Sequence, residues 1–287
     1  MTIDSHQHFW NYDPIRDKWI ESSMKILQKD FLPKDLKPNL DDNGIDGCIA
    51  IQADQSENEN EFLLNCAEKN SFIKGVVGWI DLTTKNIDYK LANYKTNPLF
   101  KGIRNIVQAE DDNYLLRSDI QKGISKLSNY QLTYDLLILP RQLPAAIALV
   151  EKFPKQIFIL DHIAKPNISN SMTEHWKKNI TALSKFKNVS CKLSGVVTET
   201  KSYSFNDNDF YPFIDHVFKS FGPERILFGS DWPVCLLAAK YNKVIDLVKN
   251  YLKSHSKKTK LNVMGLNAIK IYNCLLYTSD AADEVVS

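Results

Sequence analysis

Apolar runs rich in β-branched and aromatic residues recur at 2–8, 47–52, 72–80, 100–106, 131–137, 156–161, 189–193 and 225–229, each bounded by Gly, Pro, Asn or Asp. Several, such as Gln156-Ile157-Phe158-Ile159-Leu160, are continuous rather than alternating, the pattern of parallel strands covered on both faces. The stretches between them carry helix signals. Ser56-Glu57-Asn58-Glu59 is a capping box followed by Phe62, Leu63, Cys66 and Ala67 on one face. Phe213, Ile214, Val217, Phe218 and Phe221 form a second stripe, stopped by Gly222-Pro223. Eight βα units in succession predict a closed (β/α)8 TIM barrel, an α/β fold of one domain. Two connections, 9–32 and 195–208, are longer than a barrel needs. Both follow a strand, which places them as long loops over the C-terminal face, where barrels build their sites.

Composition narrows the classes. In 287 residues, 44% hydrophobic and 24% charged are globular proportions. Lys+Arg 36 against Asp+Glu 34 gives a net charge of +2 with no long block of one sign, which argues against nucleic acid as a partner. The opening Met1-Thr2-Ile3-Asp4 has no basic and apolar leader pattern, and no run approaches the ~18 apolar residues of a membrane span, so neither a membrane partner nor export is expected and the location is read as cytoplasmic. Cys48, Cys66, Cys191, Cys235 and Cys274 are scattered without a C-x-x-C pair and read as reduced core thiols. A homo-oligomer is compatible with all of this.

The last segment, 274–287, begins CLLYTSDAADE, similar to the in-frame translation of a common sequencing adapter. The barrel is therefore assigned to 1–273 and the remainder to a non-native tail.

Candidate chemistry sits at the strand ends. His6 and His8, two apart on the first strand, share a face. His162 follows the sixth strand in Leu160-Asp161-His162, and Asp231 follows the eighth in Gly229-Ser230-Asp231-Trp232-Pro233. Three imidazoles and a carboxylate converging on one barrel mouth suit either a single divalent ion or a polarised carbonyl. A carboxylate there is also a common helix N-cap, and paired strand histidines are often ordinary polar residues. Arg104 at the end of the fourth strand offers a planar fork for a substrate carboxylate or hydroxyl pair, with a structural ion pair as the alternative. Lys192 shares a strand face with Ser194 and is read as substrate-binding or as an inter-strand ion pair. Trp10 and Trp232 are candidates to stack on a sugar ring, or to pack in the core. His175, His216 and His255 lie in helical or loop stretches and read as surface residues.

The motifs IDSHQHFW, KGIR, LDHIAKP, KLSGV and ILFGSDWP, in this order, resemble the amidohydrolase superfamily, and within it the branch of L-fuconolactonases, related sugar-lactone hydrolases and pyrone-dicarboxylate lactonases. The resemblance implies a (β/α)8 barrel and hydrolysis at a carbonyl, with His6, His8, His162 and Asp231 at the family's site positions. Superfamily members with two metals carry a bridging Lys or Glu on strand four and a histidine on strand five. Here those strands offer Arg104 and Tyr134-Asp135, so a two-metal site is not expected. Either no cofactor or one divalent metal, zinc first, is compatible with the remaining set. The expected function is the opening of a small sugar-derived or carboxylated lactone. Asp231 would act as general base with a pKa raised by its pocket, and the histidines would stabilise the oxyanion. The alternatives are a zinc-dependent decarboxylase on the same barrel and a non-catalytic small-molecule-binding barrel.

Overall fold

The computed structural model describes residues 1–169 and 171–274. Eight parallel strands follow in sequence order: β1 (Ile3–Gln7), β2 (Gly47–Ile51), β3 (Ile73–Gly78), β4 (Phe100–Asn105), β5 (Thr133–Leu136), β6 (Phe158–Leu160), β7 (Val189–Leu193) and β8 (Ile226–Phe228). All eight fall inside the runs that the hydrophobic pattern marks. Helices α1 (Pro33–Asn43), α2 (Glu57–Lys69), α3 (Ile87–Lys95), α4 (Ser118–Leu127), α5 (Leu143–Lys152), α6 (Glu174–Leu183), α7 (Asp207–Phe221) and α8 (Tyr241–Tyr251) alternate with them. The ring closes where Asp231 N donates to His6 O at 2.8 Å and His8 N donates to Trp232 O at 2.7 Å. The same two bonds set the end of β8 against the end of β1, so closure of the barrel and assembly of the site are one event.

Two apolar layers hold the frame. Between strands and helices lies one continuous core that includes Leu63, Ile103, Leu149, Ile180, Ile214, Phe228 and Val244. Inside the barrel, Ile3, Ile49, Ile51, Val77, Ile159 and Leu227 fill the lower half, and Ala268, Tyr272 and Cys274 pack against them from the C-terminal helical stretch. Burying such side chains contributes about 1.5–3 kcal/mol each relative to leaving them in water. Cys274, assigned to the tail in the sequence reading, belongs to this packing: it is buried and its N–H donates to Ile269 O at 3.0 Å. Residues 275–287 of that tail lie outside the described residues.

The Ser56 hydroxyl caps α2 by accepting from Glu59 N. The Glu59 carboxylate does not complete the box: it is buried and accepts instead from Ala53 N and Asp54 N. All five cysteines are buried and free. Among the described residues, no helix is long and apolar enough to cross a membrane.

Candidate active site

The register of β1 against β2 shifts between Asp4 and Gln7, a bulge that re-aims the strand end. His6, within this shift, and His8, just past it, turn toward the carboxylate of Asp231. Their Nε2 atoms lie 3.7 and 3.3 Å from Asp231 Oδ1, and His162 Nε2 lies 3.9 Å from the same oxygen. The four residues named from strand ends are thus brought to one point.

The backbone that delivers two of them is strained. After β6 the chain passes through four successive left-handed residues, His162 (φ 53), Ile163 (φ 50), Ala164 (φ 60) and Lys165 (φ 50), and Asp231 is left-handed as well (φ 58). Non-glycine residues resist this conformation by roughly 1–2 kcal/mol each. Packing holds the turn: Ile163 and Ala164 are fully buried, and Trp176 Nε1 donates to Ile163 O at 2.9 Å. Strain of this kind, held by its surroundings, is how a scaffold aims a side chain.

A second set of bonds orients the rings. His8 Nδ1 donates to Ile51 O at 2.8 Å, His162 Nδ1 meets Ser194 Oγ at 2.9 Å, and His6 Nδ1 lies 3.4 Å from Asp161 Oδ1. Such outer partners fix ring orientation and tautomer. Ile51 O can only accept, so the His8 Nδ1 carries hydrogen and its Nε2 is the atom turned to the Asp231 oxygen. Burial lowers the His6 pKa well below its ordinary value. Burial likewise lowers His162, to about 4, against the opposing pull of Asp231 and Asp161. Nitrogen lone pairs facing a carboxylate oxygen are a donor set that fits a divalent ion. The ligand atoms of His6, His8 and Asp231 all lie within 4.8 Å of one another.

Beneath the rings lies a buried ion network. Lys192 Nζ donates to Asp135 Oδ2 at 2.6 Å and sits 3.1 Å from Asp161 Oδ1, while Tyr272 OH donates to Asp135 Oδ2 at 2.6 Å. Arg104 donates to Asp161 Oδ2 at 3.2 Å and to Gln52 Oε1 at 2.9 and 3.1 Å. It also donates to Gln52 O, and its Nη1 lies 3.3 Å from His6 Nε2. Burial by itself would raise Asp161, but Lys192, His6 and Arg104 hold it well below the ordinary carboxylate range.

Above the cluster opens a cavity of about 430 Å³. His8, His162, Asp231 and Arg104 form its charged part, Leu137, Val234 and Leu237 its apolar wall, and Lys165 its rim. Trp19 and Met24 reach in from the 9–32 loop, and Thr198, Glu199 and Tyr203 from the 195–208 loop.

Several expectations are corrected by this geometry. Lys192 does not face a substrate: it is fully buried and its ammonium is taken by two aspartates. Arg104 does line the cavity, but four of its five N–H groups are taken by Gln52 and Asp161, so no free fork remains for bidentate capture. Trp10 and Trp232 lie outside the cavity lining. Both pack edge-on against Phe31, at 5.4 and 5.2 Å between ring centroids, and pin the 9–32 loop to the barrel. Asp231 does not have a raised pKa. Burial pushes it up, but the surrounding His162, His8 and His6 rings hold it well below the ordinary range. His216 and His255 are half-buried rather than exposed, the former bonded to Thr181 and Lys177, the latter packed on Tyr251; His175 is exposed.

Sequence reasoning passed over Asp161, although a carboxylate closing a wholly apolar strand was a signal that it needed a buried partner. Lys165, Glu199 and Tyr203 were also passed over. Only their membership of segments next to strand ends pointed to them.

The amidohydrolase family model matches residues 3–274. The chain is 34% identical to the L-fucono-1,5-lactonase of Burkholderia multivorans over 265 residues, covering 88% of this chain and 89% of that one. It is 33% identical to the L-fucono-1,5-lactonase of Burkholderia ambifaria over 240 residues, 83% and 82% of the respective chains. An amidohydrolase from Burkholderia multivorans solved with bound zinc superposes with a TM-score of 0.92 at 33% identity, covering 96% of this chain and 100% of that one. With the family model spanning nearly all the described residues, this chain belongs to the amidohydrolase family.

Proposed function

We propose that the protein is an ester-bond hydrolase that opens a small sugar-derived lactone. The observation that carries this reading is the convergence of three imidazole Nε2 atoms on Asp231 Oδ1 at the floor of a cavity of about 430 Å³. Similarity to two L-fucono-1,5-lactonases over more than four-fifths of the chain supports it.

Water attacks the lactone carbonyl carbon and must lose a proton as the bond forms. Asp231 accepts that proton. The surrounding imidazole rings favour its ionised form, which is the form that can accept a proton. The carbonyl oxygen gains negative charge beside His162, which lines the cavity and, with the Ser194 hydroxyl donating to its Nδ1, can donate from Nε2. The tetrahedral adduct then breaks its ring C–O bond, and the leaving oxygen takes the proton from Asp231, giving the hydroxy acid. His6, fully buried, does not reach the cavity and serves by holding Asp231 in place from below. Arg104 holds Asp161, and Asp161 faces His6, so these two are positioning residues.

His6, His8 and Asp231, with His162 beside them, are the residues that would hold a divalent ion, zinc first, which when bound acidifies water and polarises a carbonyl. A required metal is part of this proposal, and the Burkholderia multivorans structure with bound zinc supports it. The reading also takes the enzyme to act in the cytosol on a small molecule, supported by five cysteines that are all buried and free.

A panel of aldonolactones and simple esters, assayed on metal-stripped and zinc-loaded protein, tests reaction class and metal need together. Opening of an aldonolactone by the zinc-loaded form is expected. Release of CO2 from carboxylated aromatic acids without lactone opening would favour a decarboxylase instead.

A further inference from the structure

Two charged side chains on the cavity wall take no part in the histidine cluster. Lys165 ends the left-handed turn after β6, and Glu199 ends the short helical turn Val196–Glu199 after β7. Their segments are tied through the backbone, Ile168 N donating to Glu199 O at 2.9 Å. Lys165 Nζ lies 3.1 Å from Glu199 Oε1, with side chains 22% and 20% exposed, and both line the cavity that holds His8, His162 and Asp231. An ion pair on open surface would contribute little. This one is largely withdrawn from water and turned toward a binding space. An ammonium has three donors and a carboxylate about four acceptor sites, so a single contact leaves most of that capacity to a ligand.

The charge balance of the wall restricts what that ligand is. Among the described lining residues the lysine and arginine cations are Lys165 and Arg104. The first is neutralised by Glu199, and the second is engaged by Gln52, Asp161 and His6. Away from Asp231, where a bound metal ion would supply positive charge, a second substrate carboxylate lying beside the pair would meet Glu199 with Lys165 already committed to it and no other uncommitted lysine or arginine on the wall, and like charges in a partly dry cavity repel strongly. A hydroxyl meets no such conflict, since it can donate to Glu199 and accept from Lys165 without separating them.

We propose that the Lys165–Glu199 pair is the specificity device of this site: it reads ring hydroxyls of a neutral, polyhydroxylated lactone, and Glu199 turns away lactones that carry an additional carboxylate. This rests on the lactone-hydrolase reading and names the residues that choose among lactones.

The test compares kcat/KM for a neutral aldonolactone and for the corresponding aldarolactone, which carries one more carboxylate, in zinc-loaded wild type, Glu199→Gln and Glu199→Asp. The wild type is expected to prefer the neutral compound by about 100-fold or more, as sites built to bind one polar pattern do. Glu199→Gln is expected to shrink that preference by roughly ten-fold, mainly through KM, while Glu199→Asp, which keeps the charge, retains it. If Glu199→Gln fails to fold, Lys165→Met gives the converse readout: an unneutralised Glu199 widens the preference. Equal use of both lactones by the wild type, or an unchanged preference in Glu199→Gln, overturns the proposal. If neither lactone is hydrolysed, the lactone-hydrolase reading falls on its own. The same comparison is then made on the two dissociation constants by calorimetry, where a wild-type preference for the neutral compound that Glu199→Gln reduces sustains the proposal and equal affinities overturn it.

Discussion

Gly195 stands directly against the ring of His162: a Cβ at this position would come within 2.4 Å of His162 Nδ1. Gly195 is itself left-handed, with φ +63, and it follows Ser194, whose hydroxyl bonds that same nitrogen at 2.9 Å. One residue therefore supplies both the turn out of β7 and the space in which a site histidine sits.

Gly195→Ala is expected to push the His162 ring off Ser194 and to lower kcat/KM by about 100-fold, the scale of an ångström-sized misplacement. The backbone conformation adds a stability loss of roughly 1 kcal/mol, read by urea denaturation. Wild-type kinetics in this variant would mean that the ring has room to move without consequence.

Lys192→Met removes the ammonium that separates Asp135 from Asp161. Breaking one partner out of a buried ion network costs about 3–5 kcal/mol, and denaturant unfolding measures it. Adding Asp135→Asn to the same chain is expected to return part of that loss, since one of the two stranded charges is then gone. A single variant as stable as wild type would show that the network is not closed as described.

Stability should also carry a pH signature from Glu59. Burial pushes its carboxyl up from the usual 4.5 to about 8, against the backbone N–H groups of Ala53 and Asp54, which pull it down. The folded state therefore binds the proton more tightly than the unfolded one. Its contribution is favourable at low pH and declines as pH rises between 4.5 and about 8, above which the loss is complete. At about 1.4 kcal/mol per pKa unit, the change across this window amounts to a few kcal/mol. The difference in unfolding free energy between wild type and Glu59→Gln, followed from pH 5 to pH 9, isolates it. A constant difference contradicts the assignment.

How far the sequence carried the reading varies with the physics at each position. The eight strands were legible because parallel strands covered on both faces must be apolar throughout, and runs such as 156–160 have no other economical use. His6, His8, His162 and Asp231 were legible because a polar group closing such a run at the barrel mouth has few places to go. Trp10 and Trp232 were not resolved by type or position: an indole stacks equally well on a sugar or on Phe31, and the loop path decides which. Arg104 and Lys192 show the same limit. Their strand ends placed them near the centre, but only β5 and the ends of β2 and β6, which bring Asp135, Gln52 and Asp161, determine that the protein itself takes up their charge. The Lys165–Glu199 pair was hidden because it joins two segments through left-handed and short helical turns that no periodicity encodes.

The central claim, that Asp231 and the three histidines form one working cluster, is tested most directly by Asp231→Asn. The measurement is kcat/KM on an aldonolactone that the zinc-loaded wild type opens, with thermal melting recorded alongside. Loss of a group that handles the water proton is expected to lower the rate by about 100-fold to 10,000-fold while the folded state persists. Turnover at the wild-type rate in a folded Asp231→Asn protein would contradict the account.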